Sequence, residues 1–301
     1  MVNVISIVKN SIGDTVGYDI LDLNTNQTHQ CVKIENLAGI ELSNAIFVGG
    51  KTPYIKGKKA LDIREIHSIV TLYHGSNHKV DTPKFGLGKQ NNDYGQGFYT
   101  TTIADKADEW ALMMPGDSIR NQYEIDLSGL TILNLDNYGP LAWIAEVLHN
   151  RGSGDTEIDE WIKASFIKKY RVCNQGYDIV TGYRADDSNF SIIESFLNNE
   201  ISVSEVIQLF YKAKLGKQVF IQSRKAFSRI KFIRASKVSN SRLGYAKNND
   251  ANARLTAQQY LRDRRQAIIT GRINMEGQLT FKMAFSKNLI YNRQDGKYYE
   301  A

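Results

Sequence analysis

The sequence has few cysteines and no long apolar run, and these absences exclude several classes of protein. Only two cysteines occur among 301 residues, Cys31 and Cys173, far apart and without metal-ligand spacing. We therefore expect no disulfide framework, no structural zinc and a reducing cytoplasm. No apolar run approaches the ~18 residues that cross a bilayer, so no membrane partner is expected. The N-terminal segment lacks the charged region, apolar stretch and cleavage site of a secretory signal.

The charge is distributed unevenly along the chain. Residues 1–200 carry 18 Lys/Arg and 26 Asp/Glu, a net charge of −8, whereas residues 201–301 carry 20 Lys/Arg and 6 Asp/Glu, a net charge of +14. A basic third joined to an acidic body favours a polyanionic partner, either nucleic acid or an acidic protein surface. The alternative is that the charges are dispersed and only aid solubility, since the sequence does not show whether they share a face.

The hydrophobic patterning divides the chain into three parts. Residues 1–68 are typical of short strands and turns and predict a small β-rich accessory domain. Residues 69–239 mix strand and helix patterns, which predicts an α+β domain. Residues 240–301 are polar and basic, with an amphipathic helix expected over 255–269 and a β-hairpin over 277–299.

Two strands near the middle of the chain are predicted to pair with each other. Residues 123–127 and 131–135 have strand-like patterns, and Ser128 and Gly129 between them are typical turn residues. A short connection of this kind predicts a hairpin.

Two segments about twenty residues apart combine glycine with aromatic residues. The first, Leu72-Tyr-His-Gly-Ser76, ends an apolar strand, and the second, Asp93-Tyr-Gly-Gln-Gly-Phe-Tyr99, leads into another strand. Taken singly, each has an ordinary explanation: a histidine that completes local hydrogen bonds, and a glycine-rich turn before an aromatic strand. Because successive strand residues face opposite sides, one of Phe98 and Tyr99 can pack in the core while the other lies against a ligand ring.

Together, the two segments and the amphipathic helix after them resemble the His-Tyr branch of the ADP-ribosyltransferases, which includes diphtheria toxin and the poly-ADP-ribose polymerases. The likeness is strongest to a poorly characterised bacterial family within that branch, and it covers roughly residues 69–235. The resemblance implies a split β-sandwich with helices that holds NAD, as co-substrate, in a cleft without a metal ion.

The resemblance also implies roles for the residues of both segments. His74 is expected to hydrogen-bond the adenosine ribose and Gly75 the nicotinamide carboxamide, while Tyr99 stacks on the nicotinamide ring. A second ring wall is expected from Tyr94 or, on the following helix, from Trp110. The other motif positions expected to contribute to NAD binding are Ser76, Gly97 and Phe98.

The family's third motif is a residue that opens a later strand, usually glutamate in the active polymerases. The strand beginning near Lys217 matches this pattern, and Gln218 then takes the place of the glutamate. An amide can bond a ribose hydroxyl, but it cannot act as a base or carry the charge that stabilises a cationic sugar. Asp178, Asp186 and Asp187 are candidates for the base, although Asp187 could instead cap a helix. The predicted catalytic set is His74, Tyr99, Asp187 and Gln218.

These observations predict a mono-ADP-ribosyltransferase that cleaves NAD and transfers ADP-ribose to a macromolecule. Nucleic acid is favoured over protein as the acceptor because the loop over residues 211–217 is basic. The resemblance is compatible with a bacterial or phage toxin or effector that has a neutralising partner protein. Two alternatives stay open: an NAD glycohydrolase, and a non-catalytic nucleotide- or nucleic-acid-binding module on the same fold.

Overall fold

The chain contains both strands and helices, as expected for an α+β protein. The computed structural model describes residues 1–37, 40–48, 52–55, 62–66, 68–152, 158–185, 190–212, 216–239, 241, 243–293 and 295–301. The chain divides into a smaller unit, residues 1–69 with 126–128, and a larger unit, residues 70–125 with 129–301. Within the described ranges, no helix combines the length and the apolarity that a membrane crossing requires.

The smaller unit is built on a sheet of four strands. These are β1 (Val2–Asn10), β2 (Thr15–Asp22), β3 (Gln27–Val32) and β6 (Asp62–Ile66), in the order β3-β2-β1-β6, and a separate hairpin is formed by β4 (Ala45–Val48) and β5 (Thr52–Ile55). β1 is antiparallel to β2 and parallel to β6. Alternate residues of β1 and β2 are apolar and form one buried core: Val2, Val4, Tyr18 and Ile20, with Leu37 and Leu42.

The larger unit contains two sheets. Their strands are β7 (Ile69–Ser76), β8 (Phe98–Thr100), β9 (Ile119–Asp126), β10 (Ile132–Asn134), β11 (Ile179–Tyr183), β12 (Lys217–Ile221) and β13 (Ile230–Lys237). One sheet has the order β10-β11-β12-β8 and the other β13-β9-β7. Tyr73 of β7 and Thr101, just after β8, exchange two backbone hydrogen bonds of 2.8 and 3.0 Å. This pair joins the two sheets and brings the two glycine-containing segments side by side.

The helices surround one large apolar core. They are α1 (Ala104–Met113), α2 (Gly139–Arg151), α3 (Glu160–Tyr170), α4 (Phe190–Leu197), α5 (Val203–Lys212), α6 (Arg224–Phe227), α7 (Leu243–Ile269) and α8 (Phe281–Ser286). Residues 139–148 of α2 are buried on every side of the helix, which is expected of a helix that is apolar on nearly every side. The one charged residue among them, Glu146, pairs with Arg171 at 2.7 Å. The buried aromatics of this core are contributed by several elements and include Trp143 of α2, Phe166 of α3, Phe196 of α4, Phe210 of α5 and Phe220 of β12.

The predicted pairing of residues 123–127 with 131–135 is wrong. Both segments contain strands, but β9 pairs with β13 and β10 pairs with β11. The turn between them, with Gly129 at φ +69°, therefore carries the chain from one sheet to the other. Local turn chemistry predicted the change of direction but not which strand each segment pairs with.

The C-terminal region also differs from its prediction. The helix α7 begins at Leu243, earlier than expected, and residues 281–286 form α8, so the hairpin is confined to β14 (Leu289–Asn292) and β15 (Lys297–Glu300). Phe281 and Ala284 are three residues apart and both point into the core of the larger unit, the spacing of a helix face. The guanidinium of Arg264 on α7 pairs with Glu205 on α5: Nη2 donates to Oε2 at 3.0 Å, and Nε lies 2.7 Å from Oε1. The ion pair with the buried Glu205 carboxylate thus holds the Arg264 side chain against α5.

The hairpin β14–β15 supports the start of α2. The backbone N–H of Leu141 donates to the hydroxyl oxygen of Tyr298 at 2.9 Å. The first N–H groups of a helix have no partner within the helix, so this hydroxyl satisfies a donor that is otherwise buried and unpaired. The C-terminal hairpin is therefore part of the packing of the larger unit.

Replacing Tyr298 by Phe should lower the free energy of unfolding by about 1–3 kcal/mol, because the Leu141 N–H is left buried without an acceptor. Urea denaturation of the whole protein measures the change. Tyr299→Phe is the matched control, since Tyr299 is exposed and its hydroxyl bonds only the exposed Asp295 among its described contacts. Equal stabilities for the two variants would contradict the capping role.

Candidate functional site

A cavity of about 1000 Å³ lies in the larger unit, around the ends of the two glycine-containing segments. Its walls come from β7, β8, β12, α1, the ends of α2 and β11, and the segment that connects β7 to β8. Seven of the residues predicted for the site line it: His74, Gly75, Gly97, Phe98, Tyr99, Trp110 and Gln218. The fold therefore gathers three separate sequence motifs around one space.

His74 presents a hydrogen-bond acceptor. Its Nδ1 lies 2.8 Å from the carbonyl oxygen of Tyr99, and since a carbonyl only accepts, Nδ1 carries the proton. Burial lowers the pKa of His74, which favours the neutral ring at neutral pH. In this tautomer Nε2 is the ring atom with a lone pair, suited to a ligand hydroxyl. Phe98 packs against the ring with centroids 4.7 Å apart.

Tyr99 presents an aromatic ring that is held in place by its hydroxyl and by a neighbouring ring. Its hydroxyl donates to the carbonyl of Gly95 at 2.7 Å and accepts from the N–H of Tyr94 at 3.0 Å. Phe220 packs against the ring with centroids 4.8 Å apart. Burial raises the pKa of Tyr99, so the hydroxyl stays protonated. The ring is thus fixed before a ligand arrives, which reduces the entropy cost of binding.

Gly75 and Gly97 are required by close backbone packing. A Cβ on Gly75 would lie 2.0 Å from the carbonyl oxygen of Ala107 and 2.7 Å from the nitrogen of Ala111, both on α1. A Cβ on Gly97 would lie 2.6 Å from the carbonyl oxygen of Ile221 on β12. The two glycines therefore let α1 and β12 approach closely, and this contact sets the position of the cavity walls.

Gln218 is buried beside the carboxylate of Asp93. Its Nε2 donates to Oδ2 of Asp93 at 2.5 Å, and Oδ2 also accepts from the backbone N–H of Ala185 at 2.8 Å. Arg151, at the end of α2, pairs with Oδ1 of Asp93 at 3.1 Å. Burial is the largest influence on the Asp93 carboxyl and raises its pKa, while these three donors act in the opposite direction.

Ser76 and Tyr94 are buried structural residues and are not among the described residues that line the cavity. The hydroxyl of Ser76 donates to the carbonyl of His78 and accepts from Asn121 Nδ2 at 3.1 Å. The Tyr94 hydroxyl donates to the carbonyl of Tyr183 and accepts from Trp143 Nε1 at 3.0 Å. The side chain of Tyr94 thus faces the core, whereas Trp110 of α1 lines the cavity.

The aspartates considered as a base have different locations. Asp178 lies outside the cavity lining, where it accepts from the N–H of Thr131 at 2.8 Å and from the Ser223 hydroxyl at 2.5 Å. Asp186 and Asp187 lie outside the described residues, as do residues 213–215 of the basic loop that was expected to face a target. At the end of that loop, Lys217 forms an ion pair with Asp136.

The cavity lining is electropositive. Its described residues include two carboxylates, Asp81 and Asp93, and five cations: Lys79, Lys84, Lys89, Arg151 and Arg184. Lys79 pairs with Asp81 at 3.0 Å, and the guanidinium of Arg184 lies 4.7 Å from the centre of the Trp110 ring. An anionic ligand is therefore favoured over a cationic one. Among the described residues, no group of three His, Cys, Asp or Glu is placed to hold a metal ion.

Sequence reasoning missed Asp93, Arg151 and Arg184 as site residues. Asp93 directly precedes the Tyr94-Gly-Gln-Gly turn, and this position was the available signal, because the turn carries it to the same cavity as Tyr99. Arg151 and Arg184 carry no comparable signal. They reach the cavity only because α2 and β11 end there.

Comparison with known proteins gives a family but no described relative. A protein-family model with the description "Protein of unknown function (DUF3990)" matches residues 70–232, which is more than half of the chain. Neither the curated proteins nor the solved structures contain a match.

Substituting Gly75 by Ala should lower the free energy of unfolding by about 1–3 kcal/mol, because the added methyl group pushes β7 and α1 apart. Gly244→Ala is the control: a Cβ there meets nothing within 4 Å and the residue lies in α7, so stability should be unchanged or slightly higher. Chemical denaturation compares the two. A fully stable Gly75→Ala protein would contradict the packing role.

Proposed function

The chain belongs to the DUF3990 family of proteins of unknown function, and we propose that it is an ADP-ribosyltransferase with NAD as its substrate. The observation that carries this proposal is the convergence of three groups on one cavity: the acceptor nitrogen of His74, the fixed ring of Tyr99 and the buried amide of Gln218. A ribose hydroxyl, a flat aromatic amide and a second ribose hydroxyl are the ligand groups that suit them.

The size and charge of the cavity agree with a dinucleotide. Its volume of about 1000 Å³ lies at the upper end of the range for ligand pockets. Lys84, Lys89 and Arg184 supply positive charge for a diphosphate. Trp110, Met113 and Met114 at the end of α1 add apolar surface for a base. Each chemical part of NAD therefore has a suitable surface in the lining.

The reaction asks the residues mainly for orientation and electrostatic support. The bond between nicotinamide and ribose breaks with its electron pair leaving on nicotinamide, and a lone pair of the acceptor then bonds the same ribose carbon while the acceptor loses a proton. Tyr99 would hold the leaving ring in place. Gln218 and the neighbouring negative charge of Asp93 would favour the positive charge that develops on the ribose.

We propose nucleic acid as the acceptor class, with protein as the other outcome of the test. The support is the positive charge at the cavity, where Lys79, Lys84 and Lys89 are all exposed. Exposed lysines beside a site attract phosphate backbones. With water as the acceptor, the same site would be an NAD glycohydrolase.

Incubation of the protein with NAD labelled in its adenylate part tests the activity, with RNA, DNA and protein offered in separate reactions. We expect label on RNA or DNA and release of free nicotinamide. Label on protein alone would change the acceptor class, and free ADP-ribose alone would indicate hydrolysis. Absence of both NAD binding and nicotinamide release would refute the proposed function and favour a binding module for another nucleotide.

His74→Ala should weaken NAD binding about tenfold or more, because a buried ribose hydroxyl loses its acceptor. Tyr99→Ala should have an effect of similar size through lost stacking. Isothermal titration calorimetry gives both dissociation constants. His149→Ala is the control, since His149 is exposed on α2 and does not line the cavity. Unchanged affinity in both site variants would show that NAD does not bind through these residues.

A further inference from the structure

Asp93 lies among three hydrogen-bond donors and no acceptor in its described contacts. Oδ2 accepts from Ala185 N and Gln218 Nε2, and Oδ1 accepts from Arg151 Nη1. A carboxylate accepts at both oxygens, whereas an amide of the same shape would turn an NH₂ group toward at least one of these donors. The arrangement therefore selects a carboxylate at this position.

The same contact fixes the orientation of the Gln218 side chain. Because Asp93 accepts, the Gln218 atom that faces it at 2.5 Å must be the NH₂ group, Nε2. The other end of the amide, Oε1, is then the acceptor that Gln218 offers to the cavity it lines. A flipped amide would set two oxygens against each other in a buried place, where such contact is costly.

We propose that Asp93 is a positioning residue for Gln218: it holds Oε1 toward the ligand, so the two side chains bind a ligand hydroxyl as one unit. This inference rests on the proposed function for the identity of the ligand, NAD. The Asp93 carboxylate also polarises the amide through the Nε2 contact, which makes Oε1 a stronger acceptor than that of an isolated glutamine.

Gln218→Glu would place a second carboxylate beside Asp93. The substitution keeps the shape of the side chain and adds a negative charge, which alone would favour a developing positive charge on ribose. In this site, however, the new carboxylate faces Asp93 at hydrogen-bond distance and the donor is gone. We therefore expect slower turnover from Gln218→Glu, with kcat for nicotinamide release reduced about tenfold or more.

A double-mutant cycle tests whether Asp93 acts through Gln218. Asp93→Asn and Gln218→Met are each expected to lower kcat for nicotinamide release about tenfold or more with a smaller change in KM. The double variant should be no slower than the slower single variant, because Asp93→Asn already removes the negative charge that holds and polarises the Gln218 amide. The proposal would be overturned if the two single reductions in kcat multiplied in the double variant. It would also be overturned if Gln218→Glu turned over faster than the wild type.

Asp19→Asn is the control for loss of a buried carboxylate. Asp19 accepts from the Ser6 hydroxyl at 2.5 Å, pairs with Arg64 at 2.7 Å and does not line the cavity. Its replacement should lower the melting temperature while kcat and KM stay within about twofold of the wild-type values. A loss of kcat as large as in Asp93→Asn would show that the cycle reports general destabilisation, and would contradict a specific role for Asp93.

Unfolding without ligand separates this proposal from the proposed function. Gln218→Glu should lower the melting temperature more than Gln218→Met, and the excess should shrink in the Asp93→Asn background. Wild-type protein that shows this coupling but neither binds nor cleaves NAD would refute the proposed function and support the Asp93–Gln218 pair. Additive changes in melting temperature would refute the pair whatever the protein does with NAD.

Discussion

The candidate site depends on the hydrogen bonds and the ion pair of the Asp93 carboxylate. This carboxylate joins three parts of the fold: the end of α2 through Arg151, the segment just after β11 through Ala185, and β12 through Gln218. Arg151 also donates to the carbonyl of Ala185, so the cluster closes on itself. Because breaking a buried charged network by removing one member is strongly destabilising, these elements are held in one arrangement around the cavity.

A second constraint comes from backbone packing. The Tyr73–Thr101 pair aligns the ends of β7 and β8, and Gly75 and Gly97 let α1 and β12 close on them. The Tyr99 hydroxyl then ties the strand to the turn at Gly95. Rigid strands and a helix, rather than mobile side chains, thus determine where His74 and Tyr99 stand. A site built in this way is organised before its ligand binds.

Much of the fold and of the candidate site could be predicted from the sequence. The rest could not, for physical reasons. Period-two and helical patterns predicted strands within residues 1–68, a helix after the second glycine-containing segment and a helix over 255–269, since burial of one face leaves a periodic trace. The pairing of β9 with β13 left no such trace, because partner choice depends on contacts between distant residues. The motifs predicted that His74, Tyr99 and Gln218 share a site, and all three line one cavity. Of the two aromatics expected as a second ring wall, Tyr94 faces the core and Trp110 lines the cavity, and the pattern does not show which aromatic faces the core.

A crystal structure of the protein soaked with NAD would show whether the cavity binds NAD through these residues. We expect NAD in the cavity, with the nicotinamide ring against Tyr99, a ribose hydroxyl within about 3 Å of His74 Nε2 and another within about 3 Å of Gln218 Oε1. NAD bound elsewhere on the protein, or bound in the cavity without contact to His74 and Tyr99, would contradict it.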